Sequence, residues 1–174
     1  MENPTDTDFD TVPASFLPSS PSGGPSGNAN AIVLISMRKS KKLKWKAGNV
    51  VTTVDLIHPT ITDDTQTGGP TPLGEFLIGE RYEHATHKID WYKLYPRMKD
   101  NTGYFGYGAA TETGRATMGL HPGGNSAGCV TIDSDGATPH DTNTEWIALQ
   151  KFVDSGSMTY NGTGFTGFLY VIDK

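Results

Sequence analysis

Apolar positions along the chain fall into short blocks with two different spacings. Residues 31–37 (AIVLISM) form a continuous apolar run that is too short for a comfortable helix and fits a buried strand better. In the next block, residues 38–46 (RKSKKLKWK), Leu43 and Trp45 alternate with Lys42, Lys44 and Lys46, the period of a strand with one wet face. Gly48-Asn49 supplies a turn into the β-branched stretch Val50–Ile57, so the three blocks predict a β-meander. Residues 58–75 are turn-rich, and strand-like residues 75–78 (EFLI) follow. Residues 80–118 are polar and aromatic, with Tyr92, Tyr95, Tyr104, Phe105 and Tyr107 but no clear period. Such a stretch inside a small domain is expected to be a lid or binding loop. One helix is predicted near residues 143–154, with Thr142 or Asn143 as N-cap and Glu145 early. Its apolar face is Trp146, Leu149, Phe152 and Val153, and Ser155-Gly156 ends it. Gly167–Ile172 is the last strand. The expected fold is mostly β, a sandwich or meander with one substantial helix and a long lid-like segment.

Residues 1–29 stand apart from this pattern. They are rich in Pro, Ser and Gly, carry Glu2, Asp6, Asp8 and Asp10 without a single base, and are expected to form a disordered acidic tail before a domain spanning 30–174. The chain has 14 basic and 19 acidic residues; beyond the four tail acids the balance is 14 to 15, which is no electrostatic footprint for nucleic acid. No run approaches the roughly 18 apolar residues of a membrane helix. With 21 Gly and 11 Pro the chain is too turn-rich for a helical bundle. The tail lacks the basic and apolar regions of a signal peptide, so synthesis in the cytoplasm without a cleaved leader is the expectation. Six of the bases cluster in residues 38–46, either a patch for an anionic polymer or, as expected here, a solvated hairpin. Asn161-Gly162-Thr163 reads as a turn. The single cysteine, Cys129, rules out an intramolecular disulfide and any Cys-rich zinc site. It is either a buried small hydrophobe or a reactive thiol.

The chemistry concentrates in residues 118–132. Cys129 follows Gly128, opens the apolar run 130–132, and stands eight positions after His121. Pro122, Gly123, Gly124 and Gly128 predict a flexible loop able to fold His121 back beside the sulfur, where an imidazole could take the thiol proton. A glycine before the nucleophile also lets consecutive N–H groups converge on an oxyanion. On residues alone, the core and the catalytic readings of Cys129 both stand.

His121, Ser126, Gly128, Cys129 and Val130 in this order resemble the active-site signature of the L,D-transpeptidase (YkuD-like) catalytic domain of peptidoglycan enzymes. Thr71-Pro72-Leu73-Gly74-Glu75-Phe76-Leu77-Ile78 resembles the same family's upstream TP-x-G-x-F-x-I stretch, 50 residues before His121. The likeness covers roughly residues 31–132. Two positions depart from the pattern: Thr131 stands where the family often has Arg, and Pro122 where it usually has Gly. The compact His-Pro-Gly-Gly version is similar to the type VI secretion effector branch. The resemblance implies that Cys129 attacks the carbonyl joining the third, L-centred residue of a tetrapeptide stem to the fourth, D-Ala. His121 would move the proton, Ser126 would orient His121, and the N–H groups of Gly128 and Cys129 would hold the oxyanion. Arg115, with Tyr104 and Tyr107, is the candidate substrate anchor. The thioester would pass to water or a free D-amino acid, without cofactor or metal. The same likeness implies an antibacterial protein, secreted on a carrier into a target cell's periplasm and matched by an immunity protein. A housekeeping enzyme forming 3-3 cross-links is the alternative.

Other classes are weaker on spacing. Papain-like and NlpC/P60 hydrolases place the histidine well after the cysteine, and His140 is eleven positions on. Sortases need a downstream Arg, and none of the four arginines follows Cys129. A metal hydrolase would use the H-x-x-H pair His84 and His87 with His121, but the pair lacks helical context and a neighbouring Glu. A non-catalytic wall-binding module would use the aromatics of residues 91–107 and would need no thiol beside a histidine.

Overall fold

Alternation of side chains across each strand builds the molecule. The computed structural model describes residues 30–111 and 113–174; the expected acidic tail lies outside the described residues. Among the described residues ten strands form: β1 (Ile32–Met37), β2 (Lys42–Ala47), β3 (Val50–Ile57), β4 (Gly74–Glu83), β5 (Asp90–Pro96), β6 (Met118–Gly123), β7 (Val130–Asp133), β8 (Met158–Tyr160), β9 (Thr163–Phe165) and β10 (Gly167–Ile172). The one α-helix among the described residues, α1, spans Thr144–Asp154. Eight strands close into a barrel in the order β1-β10-β4-β5-β6-β7-β3-β2, and β8 and β9 make a separate hairpin. The mostly β domain with a single helix is therefore what the chain builds, its sheet closed on itself rather than split into a sandwich. Closure comes from parallel pairing of β1 with β10, Ile32 to Gly167 through Met37 to Ile172, a contact between distant segments that no local pattern announces.

The interior is filled by every second residue. Leu34, Leu43, Trp45, Phe76, Ile78, Tyr92, Leu94, Leu120, Val130, Ile132 and Leu169 join one buried cluster, as expected for an eight-stranded barrel just wide enough for its own side chains. Helix α1 adds Trp146, Leu149 and Val153 to it. Its N-cap is Asn143, whose side chain accepts from the Trp146 N–H at 2.9 Å, and Lys151 lies in the last turn. A second cluster, with Leu77, Phe168 and Tyr170 on the outer side of β4 and β10, is covered by Met158 and Phe165 of the β8–β9 hairpin. Asn161 and Gly162, both at positive φ, make the turn of that hairpin.

Two expectations are revised. The weakly patterned stretch 80–118 is only partly irregular: β4 runs on to Glu83, and β5 alternates inward Tyr92 and Leu94 with outward Trp91 and Lys93. Aromatics on both faces of β5 hide that period. Pro122 and Gly123, expected in the flexible loop, lie within β6 beside His121, so the loop is confined to residues 124–129. In the basic hairpin Lys42 pairs with Asp55, Lys39 with Asp173 at 2.9 Å and Arg38 with Asp64 at 2.6 Å, while Lys44 is buried.

Candidate active site

The site is built on the outer face of the barrel wall at β5, β6 and β7. Strands β6 and β7 pair in parallel, with Leu120 beside Val130 and His121 beside Thr131. Because Leu120, Val130 and Ile132 point into the core, His121, Thr131 and Cys129 share the opposite face. Six residues, 124–129, return the chain from the end of β6 to the start of β7, and this tight return sets Cys129 beside Gly119. Cys129, His121, Trp91, Asn125, His87 and His140 line one cleft of about 390 Å³.

Gly128 is the hinge of the return. Its φ is +109°, and a Cβ there would come within 1.8 Å of Arg115 Nη2 and 2.6 Å of the Gly69 carbonyl oxygen, so glycine is required twice over. Arg115, 8% exposed, spends its guanidinium on main-chain carbonyls. Nη2 donates to Gly128 O at 2.8 Å, while Nη1 donates to Pro70 O at 3.0 Å and Gly69 O at 3.1 Å. Thr71 Oγ1 donates to Gly128 O as well, at 3.2 Å, so the threonine of the upstream motif and Arg115 grip the same carbonyl. In a trans peptide the carbonyl and the next N–H point in opposite directions, so this grip turns the Cys129 N–H away from Arg115. The Gly128 N–H is directed to Ser126 Oγ at 3.4 Å.

His121 is held at both nitrogens and on its ring face. Nδ1 lies 2.9 Å from Pro122 O; a carbonyl only accepts, so Nδ1 carries the hydrogen and Nε2 is the free base. Thr131 Oγ1 lies 3.3 Å from Nε2 and donates to it. The Trp91 indole stacks on the imidazole, with centroids 3.9 Å apart and planes 5° from parallel. Gly119 makes room for that ring, since a Cβ there would meet Trp91 Cε3 at 2.8 Å. Burial dominates the titration of both reacting groups. It pulls His121 down to about 4, with the Pro122 bond opposing and the His87, His84 and His140 charges adding to it. It pushes the Cys129 thiol up, against the Gly119 N–H and the Arg115 charge. At neutral pH the cleft therefore holds a protonated thiol and a neutral imidazole.

The candidate residues separate accordingly. Cys129 and His121 come together in one cleft. Ser126 does not orient His121: its hydroxyl donates to Cys129 O at 3.0 Å and braces the return loop, and Pro122 O holds the ring instead. Arg115 is no substrate anchor, because its donors are already committed to carbonyls. Tyr104 donates to buried Glu75, which also pairs with Arg97 at 3.1 Å, and packs edge-on against Tyr160; it belongs to a structural knot on β4. Tyr107 shares a 3.2 Å hydroxyl contact with Tyr82, and its phenol is raised mainly by burial, with a smaller contribution from Cys129. His87 stacks with Trp91 and His84 lies tilted against it, and His84 Nδ1 accepts the Thr86 and His87 amides. No group of three or more His, Cys, Asp or Glu placed to hold a metal occurs among the described residues. Sequence reasoning passed over three contributors. Thr131 registered only as a departure from a motif, Trp91 as one aromatic among many, and His140, bonded to Ser134 Oγ at 2.8 Å, as a loop residue.

No protein-family model and no curated protein sequence matches the chain. Among solved structures, the chain is similar to the Bdellovibrio bacteriovorus protein Bd1075 at 14% identity and a TM-score of 0.42, covering 86% of this chain and 50% of that one. It is similar to an L,D-transpeptidase of Xylanimonas cellulosilytica at 12% identity and a TM-score of 0.42, covering 85% and 63%. For L,D-transpeptidase 1 of Mycobacterium tuberculosis the values are 11%, 0.37, 82% and 60%. The chain thus spans half to about three fifths of the length of these proteins.

Proposed function

We propose that the chain is a cysteine acyl-transfer enzyme of peptidoglycan, cleaving the bond between the L-centred third residue and the D-Ala of a tetrapeptide stem. The observation that carries this reading is the meeting of Cys129 and neutral His121 in one cleft, with the peptide before the cysteine gripped by Arg115 and Thr71. The two motifs of the resemblance supply the substrate class. His121 Nε2 takes the thiol proton as Sγ bonds to the scissile carbonyl carbon, and the Cys129 N–H faces the new oxyanion. Collapse breaks the C–N bond, and the D-Ala amine leaves with the proton from His121. Water, or the amine of a free D-amino acid, then opens the thioester with His121 again as base. Both outcomes remove tetrapeptide donors from cross-linking. The compact His-Pro-Gly-Gly return extends the reading to an antibacterial effector working in a target cell's periplasm, with an immunity protein that covers the cleft.

The test is mass spectrometry of purified muropeptides incubated with the wild type and with Cys129→Ala, with and without added D-amino acids. Loss of D-Ala, or its replacement, in the wild type alone is the expected result. Cross-linked dimers would make the acceptor a stem amine instead. Unchanged muropeptides with folded wild-type protein would refute the acyl-transfer reading.

A further inference from the structure

An imidazole that takes a proton inside a protein needs something to stabilise the charge it gains. His121 is buried, and burial opposes its charged form. No Asp or Glu among the described residues lines its cleft. The charges that reach the ring are those of His87, His84 and His140, and each would repel a second cation. Of the ring nitrogens, Nδ1 donates to the Pro122 carbonyl, which favours the cation, and Nε2 accepts from the Thr131 hydroxyl, which favours the free base. The third contact is the Trp91 indole, parallel to the imidazole within 5° at a centroid distance of 3.9 Å.

Three features set this indole apart from ordinary packing. Its N–H is buried and has no hydrogen-bond partner among the described residues, an unfavourable arrangement that leaves the ring face as what the residue contributes. Gly119 gives the ring its place: a Cβ there would meet Trp91 Cε3 at 2.8 Å and Cζ3 at 3.2 Å, although glycine weakens a strand interior. The stacking distance of 3.9 Å also lies well inside the reach of about 6 Å over which an aromatic face attracts a cation. His87 is parallel to the same indole but at 5.8 Å, and His84 at 4.2 Å is tilted by 31°, so His121 has the closest and best-aligned contact of the three. We propose that Trp91 is a positioning residue of the proton transfer: its indole face stabilises the imidazolium that His121 becomes on taking the Cys129 proton. The proton passes from Sγ to Nε2 while the sulfur electron pair forms the bond to the acyl carbon. The cation then lies between Pro122 O and the indole until Nε2 gives the proton to the departing amine. The inference rests on the acyl-transfer reading above and deepens it by naming what stands in for a carboxylate beside the histidine.

The test replaces Trp91 alone, in the full-length protein, with mono-, di- and trifluorotryptophan, which keep the shape of the ring and withdraw electron density from its face. In the Cys129→Ala background the His121 Cε1–H resonance is followed by NMR between about pH 7 and 4.5. The imidazolium fraction at a given pH is expected to fall about tenfold across the series, the scale of a desolvated cation–π contact. With Cys129 in place, kcat for D-Ala release falls in step while KM stays unchanged. An imidazolium fraction that does not respond to fluorine overturns the proposal, because packing alone does not depend on the electron density of the ring; a fall in that fraction with kcat unchanged overturns it too. D-Ala release by the unsubstituted protein is read separately. Turnover with a fluorine-insensitive His121 leaves the acyl-transfer reading standing without this role for Trp91; a fluorine-sensitive His121 without turnover supports the stabilisation and removes that reading.

Discussion

Replacing Arg115 with Met isolates the role of the buried guanidinium. The side chain is 8% exposed, and three of its hydrogen bonds, to Gly69 O, Pro70 O and Gly128 O, are 3.1 Å or shorter. Hydrogen bonds from a charged donor contribute about 1.5–3 kcal/mol each. Gly128 O keeps its bond from Thr71 Oγ1, so the stranded carbonyls are mainly those of residues 69 and 70. The expected loss is about 3–5 kcal/mol, the scale of removing one partner from a buried charged set. For a domain of this size that lowers the melting temperature by about 6–20 °C. The same change removes a charge that favours the Cys129 thiolate, so the thiol pKa rises further. Calorimetry or thermal circular dichroism measures the first effect, and the pH dependence of iodoacetamide alkylation measures the second. Arg115→Lys separates them: it keeps the charge but cannot reproduce the planar fork, so it restores more of the thiol titration than of the stability. A melting temperature for Arg115→Met within 2 °C of the wild type, with an unchanged alkylation profile, would refute the account.

Gly128→Ala should be worse than a core truncation, because the new methyl meets Arg115 and Gly69 and the φ of +109° is strained for any L side chain; poor folding yield or lost D-Ala release checks it. His121 gives a stability signature with pH. Its pKa is about 4 in the folded chain against 6.5 unfolded, so its contribution is complete above 6.5 and falls as pH drops toward 4, by about 2 kcal/mol between pH 7 and 5. Chemical denaturation of wild type and His121→Gln at both pH values should show that difference, and parallel curves would contradict it. Thr131→Val removes the hydroxyl that occupies His121 Nε2. Cys129 alkylation at neutral pH should then quicken several-fold, and a slower rate would show that the hydroxyl supports the base rather than competing with the thiol.

Local pattern revealed most strands and the helix, because β1, β2, β3 and β10 each carry an unbroken apolar run or a clean alternation. It failed at β6 (MGLHPG), where glycines and a proline look like a loop; pairing with β5 on one side and β7 on the other supplies the order that composition withholds. It failed again at Arg115, which sits in an irregular stretch. Its partners are carbonyls 45–51 residues upstream and 13 downstream, and no spacing rule reaches them. Cys129 and His121 were singled out by the glycine-rich return together with the motif resemblance, and the structure lines one cleft with both. What holds each of them was not, since Pro122 O, the Trp91 ring and Thr131 act through register rather than through sequence proximity.

The energetics of the pair decide what kind of cysteine this is. Burial holds His121 down at about 4 and pushes the Cys129 thiol above its ordinary value, so both groups rest neutral. On the proposed acyl-transfer reading the proton therefore leaves as the sulfur attacks, with the charge passing into the oxyanion. Catalysis of this kind is silent until an electrophile of the right shape excludes water and fills the cleft. It follows that sluggish labelling of Cys129 by a small alkylating agent at pH 7 does not argue for a mere binding module. The measurement that separates enzyme from module is acylation by a peptide substrate, compared with alkylation of the same thiol. An enzyme shows fast acylation beside slow alkylation, and a module shows slow alkylation without acylation.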